Sequence, residues 1–208
     1  MKTLVSQCKA QTSGPLFRYT DMIIFLLSLS FWLNLSFSSS DSTTVCLSAD
    51  EKKLYDLLMK YRKEKKLPPI PLSASLTQVA QAHVKDLMEN YTADSNCNPH
   101  SWSDKGNWTP CCYTSDHKQA ECMWNKPQEI AQFASSGYEI AFWHSAMASP
   151  EEALAGWKKS QGHNQVMINA AQWKEVTWQA VGVGMYEQYA VIWFAEGKDE
   201  KEKPLLCQ

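Results

Sequence analysis

The chain lacks the marks of several large protein classes. No cysteine pair shows the Cys-x-x-Cys spacing of a zinc finger, and no internal repeat recurs. Neither sign of charge prevails, since 20 Lys and Arg stand against 22 Asp and Glu, a formal net charge of -2. With the acidic residues dispersed, nothing resembles a nucleic-acid footprint, and the mixed-sign stretch from Glu196 to Lys203 reads as a solvated tail. Long apolar runs are missing too. Met22 to Leu35 is interrupted by Ser28, Ser30 and Asn34, and it is shorter than the roughly 20 residues a membrane-spanning helix needs.

That run follows Lys2, Lys9, Arg18 and Asp21 and precedes the small residues Ser36 to Ser40, the pattern of an export signal. Residues 1–40 are therefore set apart as a signal peptide. A membrane anchor with the domain outside the cytoplasm is the alternative, because the basic segment is long and Asp21 adjoins the apolar core. Residues 41–208 suffice for one secreted domain.

Seven cysteines occur, and Cys8 lies in the export segment. Cys46, Cys97, Cys111, Cys112, Cys122 and Cys207 remain, an even set that reads as a disulfide framework in an oxidising compartment. Cys46 precedes the first expected helix and Cys207 ends the chain. Domain termini are often close, so these two are expected to pair. A direct bond between the neighbours Cys111 and Cys112 is strained, which leaves Cys97 to one of them and Cys122 to the other. Asn90-Tyr-Thr92 and Asn107-Trp-Thr109 are glycosylation acceptors if the source glycosylates exported chains.

Hydrophobic spacing supplies the elements. Ser48-Ala-Asp-Glu51 is a capping box, and Leu54, Leu57, Leu58 and Tyr61 follow at helical steps until Pro68-Pro69. Leu76, Val79, Ala80, His83, Val84 and Leu87 form a second amphipathic helix ending near Asn90, which turns His83 inward as a core histidine. From about 92 to 128 periodicity vanishes, and four cysteines suggest a long stapled loop. Tyr138 to Trp143 reads as a strand. Ser149-Pro-Glu-Glu152 caps a third helix with Ala153, Leu154 and Trp157 on its buried stripe, ending at Gln161-Gly162. Val176 to Tyr186 and Tyr189 to Ala195 form an antiparallel hairpin. Gly182 and Gly184 share one face of it, where another backbone or an aromatic ring must lie close. Helices first and the hairpin last argue for an α+β fold.

Ala153-Leu-Ala-Gly-Trp157, Gly162-His163, Asn169 and Val181-Gly-Val-Gly184, with Pro99-His100-Ser-Trp102 and Gly137-Tyr-Glu139-Ile140 upstream, resemble the hallmark runs of CAP domains. These are the cysteine-rich secretory, antigen-five and pathogenesis-related proteins. The resemblance covers about residues 48–196. It implies a three-layer α-β-α sandwich with a central antiparallel sheet and a cleft floored by two histidines and two glutamates. His100 and His163 match the histidines. Glu139 matches the first glutamate only with a one-residue shift, because the family reads Gly-Glu-Asn, and a shift of one changes the face of a strand. Ser160 stands where the second glutamate usually lies.

Two functional readings follow. The first is a secreted binding module for a lipid, sterol, glycan or extracellular protein, with Ser160, Tyr138 and Trp102 as cleft candidates. The second is a metal-assisted hydrolase in which His100, His163 and Glu139 hold a divalent ion such as zinc, weakly, because Ser160 adds little affinity. A Ser160–His163 nucleophile lacks an identifiable orienting acid. His117 and His144 read as surface residues. Trp157, Trp178 and Trp193 read as core, whereas Trp102, Trp108, Trp124 and Trp143 either pack the stapled loop or wall a cleft.

Overall fold

A computed structural model describes residues 45–93 and 96–208; the expected export segment and Cys8 lie outside the described residues. Strand β1 (Cys46–Leu47) leads into α1 (Ala49–Glu64), whose start is fixed reciprocally. The Glu51 N–H donates to Ser48 Oγ at 3.2 Å, and the Ser48 N–H donates to Glu51 Oε2 at 2.7 Å. Two donors that a helix start leaves open are thereby satisfied. Buried Glu51 also accepts from Gln81 Nε2 at 3.1 Å and from the Met185 N–H at 3.2 Å. One carboxylate thus ties three elements together.

Helix α2 (Ala74–Asn90) is capped by Ser73. Two short helices follow, α3 (Ala120–Trp124) and α4 (Lys126–Ala131). The segment expected as a structureless loop therefore contains regular structure, and Trp102 and Cys111 bridge as an antiparallel pair within it. Two disulfides close this region, Cys97–Cys112 and Cys111–Cys122, which settles the open alternatives. Cys46–Cys207 forms as expected, with Cα atoms 5.0 Å apart, and β1 pairs in parallel with the terminal β5 (Leu205–Leu206) beside it.

Strand β2 (Tyr138–Trp143), α5 (Pro150–Lys159) and α6 (Gln161–Met167) precede the hairpin of β3 (Ala180–Tyr186) and β4 (Tyr189–Ala195). The sheet is antiparallel with the order β2-β4-β3. Every residue of the central β4 is buried, because both of its faces are covered. Val191, Trp193 and Ala195 pack with Leu76, Val79, Ala80 and Val84 of α2. Ala190, Ile192 and Phe194 pack with Leu54 and Leu58 of α1 and Ala153 and Trp157 of α5. The period-two alternation of a strand produces the three layers directly.

The glycines locate the closest approach. A Cβ on Gly182 would strike the backbone of Leu76 and Thr77, and one on Gly184 the backbone of Ala80. Of the two neighbours expected there, the occupant is a helix backbone.

Three further expectations change. The third helix stops at Lys159, but Gln161-Gly162 begins α6 rather than a loop, after Ser160 turns the backbone to an extended conformation. The first hairpin strand begins at Ala180 and not Val176, because the Asn169 side-chain amide takes the Val176 carbonyl at 2.9 Å and holds that stretch in a turn. Trp143 does not pack into the core of the stapled loop. It is 54% exposed on the edge strand.

Candidate functional site

Register decides what the site can be. Glu139 lies opposite Trp193 and Tyr138 opposite Phe194, so the two side chains leave β2 toward different layers. Glu139 enters the α2 side, where its side chain is fully enclosed between two histidines. Helix α2 supplies His83, which is completely buried and stacks on Trp102 with ring centroids 4.1 Å apart. The segment after α2 supplies His100.

Hydrogen-bond bookkeeping fixes their roles. The Ser101 carbonyl can only accept, so His83 Nε2 donates to it at 2.9 Å. A proton then bridges His83 Nδ1 and Glu139 Oε2 in a short contact. His100 Nδ1 donates to Glu139 Oε1 at 2.8 Å. Burial alone would raise the Glu139 pKa, but the charge and hydrogen bonds of His83 and His100 overcome it and hold the group down at about 2. His83 is thus a core histidine with both nitrogens satisfied, and also the principal partner of the site's carboxylate.

His163 sits on α6 with its ring centroid 6.3 Å from that of His100. Burial and the proximity of His100 push it down to about 4, against the opposing pull of Glu139. It is neutral at physiological pH.

These residues do not fit the expected three-ligand zinc site. Both Glu139 oxygens are engaged by imidazoles, which leaves His100 Nε2 and His163 as the accessible donors. With Zn–N near 2.1 Å, two imidazoles on one tetrahedral ion place their ring centres about 5 Å apart, so a 6.3 Å separation is wide by about 1 Å. Among the described residues, no group of three or more His, Cys, Asp or Glu side chains is arranged to hold a metal. The other cleft candidates separate. Ser160 joins α5 to α6 through its backbone, and among the described residues no hydrogen bond links its hydroxyl to His163. Trp102 is 3% exposed and stacks on His83, and it also lines a separate recess of about 430 Å³ with Asp86, Tyr91, Ser103 and Pro110.

Tyr138 reaches a different cleft. A cavity of about 320 Å³ beside the cluster is lined by Glu139, Tyr138, Trp124, Trp173, Tyr113 and His117, among others. Tyr138 meets Trp173 edge to face, with centroids 4.9 Å apart, and Trp124 at 5.7 Å. Trp173 belongs to a short 3-10 turn, Ala171–Trp173, that was invisible to hydrophobic periodicity. Arg62, buried at the end of α1, anchors the adjoining chain by donating from Nη1 to Met167 O and to Asn169 Oδ1, each at 2.7 Å. In the sequence, Arg62 directly precedes the charged run Lys63 to Lys66, and no local pattern marks it as buried. The out-of-period Asn169 beside Trp173 was the available signal for this turn.

The model of the cysteine-rich secretory protein family, CAP, matches residues 55–194. This chain belongs to the CAP family. A search of curated proteins finds no match. Solved structures similar to this CAP chain include an extracellular SCP-domain protein of Bacillus anthracis, with 20% identity and a TM-score of 0.48 over 70% of this chain and 40% of that one. A cysteine-rich secretory protein of Staphylococcus aureus has 14% identity and a TM-score of 0.46 over 71% and 39%. An outer surface protein of Borrelia burgdorferi has 18% identity and a TM-score of 0.47 over 70% and 91%. The chain thus spans about two fifths of the first two relatives. Among its described residues, no helix is long and apolar enough to cross a membrane.

Proposed function

We propose that this CAP domain is an extracellular binding module whose cleft holds a ligand without transforming it. The observation that carries the reading is the enclosure of Glu139. A general base or metal ligand must be reachable by its target, whereas the Glu139 side chain is fully enclosed, with Oε2 held by His83 and Oε1 by His100. Its depressed pKa also makes it a poor base near neutrality. What remains open is a recess with aromatic walls, the usual form of a small-molecule site. Export is supported by the N-terminal apolar run and by three disulfides, which persist in oxidising compartments.

The test is a thermal-shift and calorimetric screen of the purified domain against sterols, lipid vesicles, oligosaccharides and peptides, each with and without chelator. Binding that survives chelation is expected. Zinc-dependent turnover of ester or peptide substrates, abolished in His163→Ala, would replace this reading with the metal-assisted hydrolase using His100, His163 and Glu139.

A further inference from the structure

Resting on the binding-module reading, we infer that the cleft walled by Trp124, Tyr138 and Trp173 is a site for a short neutral glycan. A pyranose ring has an apolar C–H face and a rim of hydroxyls. It is held by aromatic faces set at an angle and ringed by uncharged polar groups.

The recess has that make-up. Tyr138 stands at 69° to Trp173 and 59° to Trp124, so the three rings form a corner rather than a stack. At the rim lies the exposed side chain of Gln172, which both donates and accepts. Exposed His117 engages the Tyr113 hydroxyl through Nδ1 at 2.8 Å, and its Nε2 has no protein partner among the described residues. Among the described residues, the indole N–H of Trp173 is buried without a partner, an unused donor on a ring that walls the cleft.

Charge argues for neutrality. The only lining carboxylate among these residues, Glu139, is already matched by two histidines, so neither a cation nor an anion finds an uncompensated partner.

Backbone strain points to the same place. Ala171 (φ 53°) and His117 (φ 58°) both occupy the left-handed region, which is uncommon for residues other than glycine. Each lies within two residues of a ring or polar group of the cleft, and such strain persists where surrounding structure or function enforces it.

The experiment is titration of the full mature domain with cellotriose, N-acetylchitotriose and mannotriose, read by tryptophan fluorescence and calorimetry, with chelator present. At least one trisaccharide should bind and shift the emission. Trp173→Ala should weaken that binding at least tenfold, and Gln172→Ala, an exposed change that leaves the fold intact, several-fold. If no trisaccharide binds while a sterol or lipid does so independently of metal, the glycan assignment fails and the binding-module reading stands. If saccharides bind with equal affinity to wild type, Trp173→Ala and Gln172→Ala, the location is wrong. Metal-dependent turnover would remove both.

Discussion

Glu139 is the residue on which the site turns, and its environment makes two predictions. Glu139→Gln removes the negative charge while keeping the shape, and it leaves His83 buried with a mismatched partner. Breaking a buried pair from one side costs about 3–5 kcal/mol, so urea unfolding should show a loss of that order. A loss below about 1 kcal/mol would mean that the Glu139 carboxylate is not held between His83 and His100 as described. The second prediction concerns acid. His163 is held at about 4 when folded, below its ordinary value near 6.5, so the unfolded chain takes up a proton first and stability falls as pH drops from about 6.5 toward 4. Glu139, held at about 2, extends the decline below its ordinary value near 4.3. In His163→Phe the fall between pH 6.5 and 4 should be markedly shallower, while the fall below 4 remains. Unfolding midpoints at pH 7, 5 and 3.5 compare the two proteins, and parallel curves would contradict the assignment.

Elements were legible in the sequence where local chemistry specified them and obscure where distant groups did. Both capping boxes, at Ser48/Glu51 and Ser149/Glu152, start helices as read, because four consecutive residues contain the whole device. The paired glycines of β3 announced a close neighbour, and α2 is that neighbour. Gly182→Ala should therefore drive a methyl group into the Leu76–Thr77 backbone and destabilise by about 1–3 kcal/mol. Thermal denaturation checks this, and an unchanged melting temperature would show that α2 and β3 are further apart. By contrast, α6 and the Ala171–Trp173 turn depend on Arg62, more than a hundred residues away. No window of local periodicity contains that partner. The family resemblance placed the histidines but carried with it a metal that the partners of Glu139 do not favour. The identity of those partners follows from a β2 register visible only once the strand has paired.

At the scale of the whole molecule, the three layers were implied by strand alternation and the CAP resemblance together, whereas the cleft's aromatic corner required tertiary structure to bring Trp124, Tyr138 and Trp173 into contact. The Cys46–Cys207 bond has a mechanical consequence. Its two Cα atoms are 5.0 Å apart, although the residues are separated by 161 positions in sequence. A pull applied to the segments flanking the domain passes through the sulfur atoms and bypasses the sheet. The oxidised domain should behave as a nearly inextensible link under tension. Once reduced, the same span can pay out about 55 nm, at roughly 3.4 Å per residue. Single-molecule extension with and without reductant reads this directly. A long unfolding step in the oxidised protein would show that the load runs through the fold, whereas a step appearing only after reduction makes this disulfide a redox-controlled latch on the length of whatever the domain connects.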